Sequence, residues 1–161
     1  MIDSGASTSL VLEGGALSSL HAQLEDDHDA RAALCAELEQ MADALPSLPP
    51  PARVRRICNQ IECVTSLHFR RADLMLAKIA PVQDTPLASE MLERLAGMHL
   101  IDAMHGEDLI TVLWDSTARG AVARPGEFGY MLRCFFDGCR RAAALESALL
   151  TLFERQAPRA A

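Results

Sequence analysis

His28, His68, His99 and Glu146 are the side chains of this 161-residue chain best suited to chemistry, because each interrupts an apolar helical stripe with a metal-ligand type of group. The glutamate is the sharpest case. Phe128, Leu132, Phe135, Cys139, Ala142, Glu146, Leu149 and Phe153 succeed one another at steps of four and three, which is one face of an α-helix. A carboxylate in that row faces the core. An unpaired charge there is costly, so it needs a cation or a proton. A metal ion held by His28, His68, His99 and Glu146 accounts for all four residues together.

Each histidine has a similar setting. One stripe runs Leu20, Leu24, His28, Cys35, Ala42, Leu45; a second runs Ile57, Ile61, Val64, His68, Ala72, Met75, Ile79; a third runs Met91, Leu95, His99, Ala103. In an antiparallel arrangement His28 and His68 lie at matched distances from the first loop, and His68 and His99 at matched distances from the second, so the ligands share one layer. His21 falls nearer a helix end, at the rim, and His105 falls on a neighbouring face. Asp102, one turn after His99, is placed to orient that imidazole by accepting from its second ring nitrogen.

The elements that must position these groups are four long helices. Residues 1–15, rich in Ser, Gly and Ala, read as a loose arm. The first helix is expected over 16–45 and is stopped by Pro46, Pro49, Pro50 and Pro51, which lack the amide donor and clash with the preceding turn. The second is expected over 52–79. Thr85-Pro86 reads as an N-cap and first-turn proline for the third, which runs to Asp115. Gly120, Pro125 and Gly126 mark a longer loop before the fourth, over 127–156, and residues 157–161 form a short tail. No strand signal or repeat stands out. Short connections imply antiparallel neighbours, so the expected architecture is an all-α, up-down-up-down four-helix bundle in one domain.

Composition narrows the partners. A net charge of −7 argues against nucleic acid, whose phosphates require clustered positive charge. No stretch has the uninterrupted apolar length of a membrane span, and Met1–Gly15 lacks the basic start and apolar run of a secretory signal. The five cysteines include no CxxC pair and read as reduced thiols of a cytoplasmic protein.

On the order of these residues, with Leu67-His68-Phe69 on the second helix, Met98-His99 on the third and Ala144-Leu145-Glu146-Ser147-Ala148-Leu149-Leu150 on the fourth, the chain resembles the bacterial hemerythrin-like, HHE cation-binding domain family across residues 16–156. The resemblance implies a non-haem di-iron centre within the bundle. Its ligands would be a histidine on the first helix, a His-x-x-x-Glu pair on the second, histidine on the third and a similar pair on the fourth. The chain departs from that pattern at Ala72, where a bridging carboxylate is expected, and at Ala142, where a histidine is expected. Asp73 is turned about 100° around the helix from Ala72. Ala103 cannot supply a second imidazole on the third helix.

Four ligands suit one metal better than two. The resulting expectation is a mononuclear non-haem site, with iron first and zinc or manganese as alternatives. An open position there would admit a small diatomic ligand such as dioxygen or nitric oxide, for metal, gas or redox sensing or storage. No general base or substrate pocket stands out, so the expected role is not enzymatic. The competing expectation is a metal-free bundle of the same kind, a dimerising or regulatory interaction module. Ala72 and Ala142 favour it by letting the core close, with His68 and Glu146 pairing as a buried ion pair. Ferritin-like bundles fit less well, since Thr65 and Ala96 stand where Glu-x-x-His needs carboxylates. His105-Gly106 lacks the setting of a phosphotransfer histidine, and haem ligation by two of the histidines is a further alternative.

Overall fold

Pro51 opens a helix as its first residue, where its missing N–H is not needed, and the Arg53 and Val54 amides bond back to the Pro50 carbonyl. The same logic of apolar stripes bounded by proline and glycine organises the whole chain. The computed structural model describes residues 6–79 and 86–156, and everything described is helix or short connection, with no strand. The elements are α1 (Ala6–Ala44), α2 (Pro51–Cys63), a single π turn (Val64–His68), α3 (Phe69–Ile79), α4 (Pro86–Arg119) and α5 (Pro125–Gln156). Helical backbone angles at both ends of the π turn join α2 and α3 into one rod, so four rods pack as a bundle.

The boundaries follow the residue chemistry closely: α5 opens at Pro125, two residues ahead of the expected 127, and two larger differences stand beside that one. Helix α1 begins at Ala6, so residues 6–15 continue the helix where a loose arm is expected; residues 1–5 lie outside the described residues. Helix α4 continues past Asp115 to Arg119. There Gly120 (φ +68°) ends it, with the Ala121 amide on the Ser116 carbonyl and the Gly120 amide on the Thr117 carbonyl, a Schellman closure. Pro86 opens α4 as expected, whereas Thr85 and the 157–161 tail lie outside the described residues.

The buried apolar residues form two clusters. One gathers Leu34, Leu38, Ile57, Ile61, Leu109, Leu113, Phe128 and Phe135 toward the α1–α2 connection; the other gathers Leu24, Ala72, Leu76, Leu95, Ala142 and Leu149 toward the opposite end. Burial of each such leucine contributes about 1.5–3 kcal/mol, and this rather than helix propensity holds the rods together. Buried Asp27, Arg31, His68, His99, Asp102 and Glu146 belong to neither apolar cluster. No described helix is long and apolar enough to cross a membrane.

Candidate functional site

Arg31, His99 and the partly buried His28 meet on Glu146, whose side chain is wholly buried. Its principal partner is Arg31, itself 2% exposed. Arg31 Nη1 donates to Oε1 at 2.8 Å and Nη2 to Oε2 at 2.5 Å, a two-point fork in which a planar guanidinium matches a planar carboxylate. His99 Nε2 lies 2.9 Å from Oε1 and His28 Nε2 lies 2.7 Å from Oε2. An ionised carboxylate only accepts, so both ring nitrogens donate. Each oxygen therefore receives two hydrogen bonds, which fills the capacity of the group. Burial alone would raise the Glu146 pKa, but the bonds from His28, His99 and Arg31, and the Arg31 charge, hold it well below the usual carboxylate range.

His99 is held at both ends. Its Nδ1 lies 2.8 Å from Asp73 Oδ1 while its Nε2 donates to Glu146. A ring between two carboxylates donates from both nitrogens only as an imidazolium, so this setting favours the protonated form. Burial works against that charge, but the bonds to Asp73 and Glu146 outweigh it and raise the His99 pKa. The ring stacks on Phe69 with centroids 4.4 Å apart, and the Arg31 guanidinium lies 5.6 Å from the centroid of the same phenyl ring. Two cations, Arg31 and His99, thus balance two carboxylates, Glu146 and Asp73.

His68 takes a different position. It is buried, but its Nε2 points to Asp27 Oδ1 and Cys63 Sγ, each 3.4 Å away, and the Arg71 Nε lies 3.2 Å from Asp27 Oδ2. Burial lowers its pKa, with Asp27 only partly compensating, so this ring is neutral where His99 is charged. The π turn sets this geometry. The Phe69 amide reaches the Val64 carbonyl five residues back. The hydroxyls of Thr65 and Ser66 also fold back onto the Ile61 and Glu62 carbonyls.

The structure therefore brings His28, His99 and Glu146 together and leaves His68 beside them in a separate contact. The expected His68–Glu146 ion pair is replaced by Arg31–Glu146. Asp73, not Asp102, orients His99; Asp102 is buried against Gly138 on α5, with Oδ2 unpartnered. His21 pairs with Glu25 near the end of the layer, and His105 is exposed. Arg31 and Asp27 escaped the sequence reading although the pattern contained them. Leu20, Leu24, Asp27, Arg31, Leu34, Leu38 and Met41 step by four and three, and this row is the true inward stripe of α1, with His28 at its edge.

These residues do not fit the metal ion proposed for His28, His68, His99 and Glu146. A metal ligand must offer a lone pair. Here all four acceptor sites of Glu146 are engaged, two of them by the permanent cation of Arg31, and His68 is turned to Asp27 and Cys63 instead. Among the described residues no group of three or more His, Cys, Asp and Glu side chains is arranged to hold a metal ion. Ala72 and Ala142, at the positions vacated relative to the hemerythrin-like pattern, are fully buried in apolar packing.

Comparison with known proteins adds no relative: no family model, no curated protein and no solved structure matches the chain.

Proposed function

We propose that this chain is a hemerythrin-like, up-down-up-down bundle in which an internal cation takes the place of a metal, and that it serves as a non-enzymatic regulatory or protein-interaction module. The observation that carries this reading is the Arg31 fork on Glu146. A guanidinium supplies at that carboxylate the positive charge that a metal would supply, and it is covalently part of the chain. The layer is then complete in itself and acts as scaffold. Contact with other molecules falls to the surface, where α4 turns Leu100, Ile101 and Met104 outward, each more than half exposed.

Elemental analysis tests the reading. Protein purified from medium supplied with iron, zinc and manganese is expected to carry far less than one metal per chain, and a chelator is expected to leave its Tm unchanged. Near-stoichiometric metal that disappears in a His28→Ala, Glu146→Ala double variant would overturn it and restore the mononuclear-iron alternative, in which sensing of a diatomic ligand is the natural role. For the surface role, Leu100→Glu with Met104→Glu should abolish any self-association or partner binding of the wild type while the helical content stays the same.

A further inference from the structure

Outside the Glu146 cluster, one pair of side chains has the geometry of a reactive site. Cys63 and His68 are five residues apart, which in a regular α-helix sets them about 140° apart around the axis. The π turn between them adds a residue to that turn and brings Cys63 Sγ to 3.4 Å from His68 Nε2. Cys63 is partly exposed and free, whereas Cys35, Cys58 and Cys139 are buried. Cys134 is also partly exposed, but the partner it meets is the Tyr130 hydroxyl, which is no base at neutral pH.

The environment completes the pair. The nitrogen that faces the thiol also faces Asp27 Oδ1 at 3.4 Å, so a proton arriving on Nε2 lies next to a carboxylate. His68 is about nine-tenths buried, yet its Nδ1 has no hydrogen-bond partner, while Asp27 Oδ2 is taken by Arg71. Unsatisfied polar atoms of this kind are uncommon in a settled core and cluster at working sites. The charged groups acting on the ring are Asp27 and Arg31 from α1, Arg71 from α3 and Glu146 from α5.

We propose that Cys63 is a thiol-modification site, with His68 as its proton acceptor and Asp27 as the carboxylate that stabilises the imidazolium so formed, and that it takes low-molecular-weight disulfides. The Cys63 Sγ–H gives its proton to His68 Nε2. The thiolate attacks one sulfur of the disulfide R–S–S–R, forming the Cys63–S–S–R bond and breaking the original S–S bond. The leaving R–S⁻ takes the proton from His68 and departs as R–SH. No outside oxidant is needed, since the incoming disulfide is the species reduced. The mixed disulfide would add bulk and charge at the π turn, between α1 and the α2–α3 rod. The inference stands apart from the metal-free reading of the Glu146 cluster.

The test treats the full native chain with glutathione disulfide, and in parallel with a chromogenic aromatic disulfide, and follows each cysteine by peptide mass spectrometry. Cys63 is expected to be modified first, about tenfold or more ahead of Cys134, with the extra rate lost only as pH falls below 6.5 and His68 is protonated. His68→Gln should slow modification at Cys63 about 10- to 100-fold and leave Cys134 unchanged. Equal or faster modification of Cys134 in the wild-type chain overturns the proposal, whether or not the His68 variant folds. So does an unchanged Cys63 rate in a folded His68→Gln protein.

Discussion

Arg31 and Glu146, 115 positions apart in the chain, close on each other through two parallel hydrogen bonds in a place where neither side chain meets solvent. Such a pair gives little net stability relative to well-packed apolar residues, because desolvating both charges offsets most of their attraction. Breaking it is another matter.

Arg31→Ala strands a buried carboxylate, and Glu146→Ala strands a buried guanidinium. Each is expected to cost about 3–5 kcal/mol in denaturant unfolding. Arg31→Met combined with Glu146→Leu should recover most of that loss. A double variant as unstable as the sum of the two single variants would show that the pair does not act as a unit.

His99 and His68 should titrate on opposite sides of the usual histidine pKa of 6.5, His99 above it and His68 below it. Two-dimensional NMR of the imidazoles reads this directly, and Asp73→Asn should bring His99 down. The linkage signs differ. The His99 contribution to stability is complete below pH 6.5 and is lost as pH climbs through its raised folded value. That of neutral His68 is complete above 6.5 and is lost as pH falls through its lowered value.

Acid should unfold the chain largely through Glu146. Its folded pKa is depressed, so its contribution is present above the unfolded value of 4.5 and disappears as pH falls below it. Glu146→Gln, less stable at pH 7, should lose the steep part of this acid dependence. An unaltered acid limb in that variant would place the effect elsewhere.

Gly138→Ala is expected to cost about 1–3 kcal/mol, because a Cβ there would collide with the buried Asp102 carboxylate, which must shift to make room. Gly97→Ala supplies the contrast. That glycine is exposed in α4 with nothing within 4 Å of an added Cβ, so the change should stabilise the helix by about 0.5–1 kcal/mol. Thermal unfolding of the two variants distinguishes a close helix contact from a general intolerance of substitution.

Asp102 itself lies buried with one oxygen unpartnered, and burial raises its pKa. Its folded value exceeds the unfolded one, so ionisation costs stability as pH rises through it. Asp102→Asn should therefore be more stable than wild type at pH 8, by a margin that shrinks as pH falls. Equal stabilities at pH 8 would mean that the carboxyl finds a partner in solution.

The stripes of this chain are legible in one dimension because helical burial repeats at 3.6 residues, and proline and glycine punctuate the repeat. That was enough to place four helical rods and to put His99 and Glu146 in the core, one layer deep. It was also enough to reveal Arg31, had the row Leu24, Asp27, Arg31, Leu34 been followed in place of the row through His28. What periodicity cannot carry is which polar group meets which. A buried glutamate demands a cation, and a metal ion, an imidazolium and a guanidinium all meet that demand equally well on paper. Only the packing of α1 against α5 decided for Arg31, by placing its fork within hydrogen-bond reach of both Glu146 oxygens. The π turn that joins Cys63 to His68 is likewise a product of the folded rod. One additional residue in one turn changes the phase of everything after it, and it leaves no mark on the composition or spacing of the residues themselves.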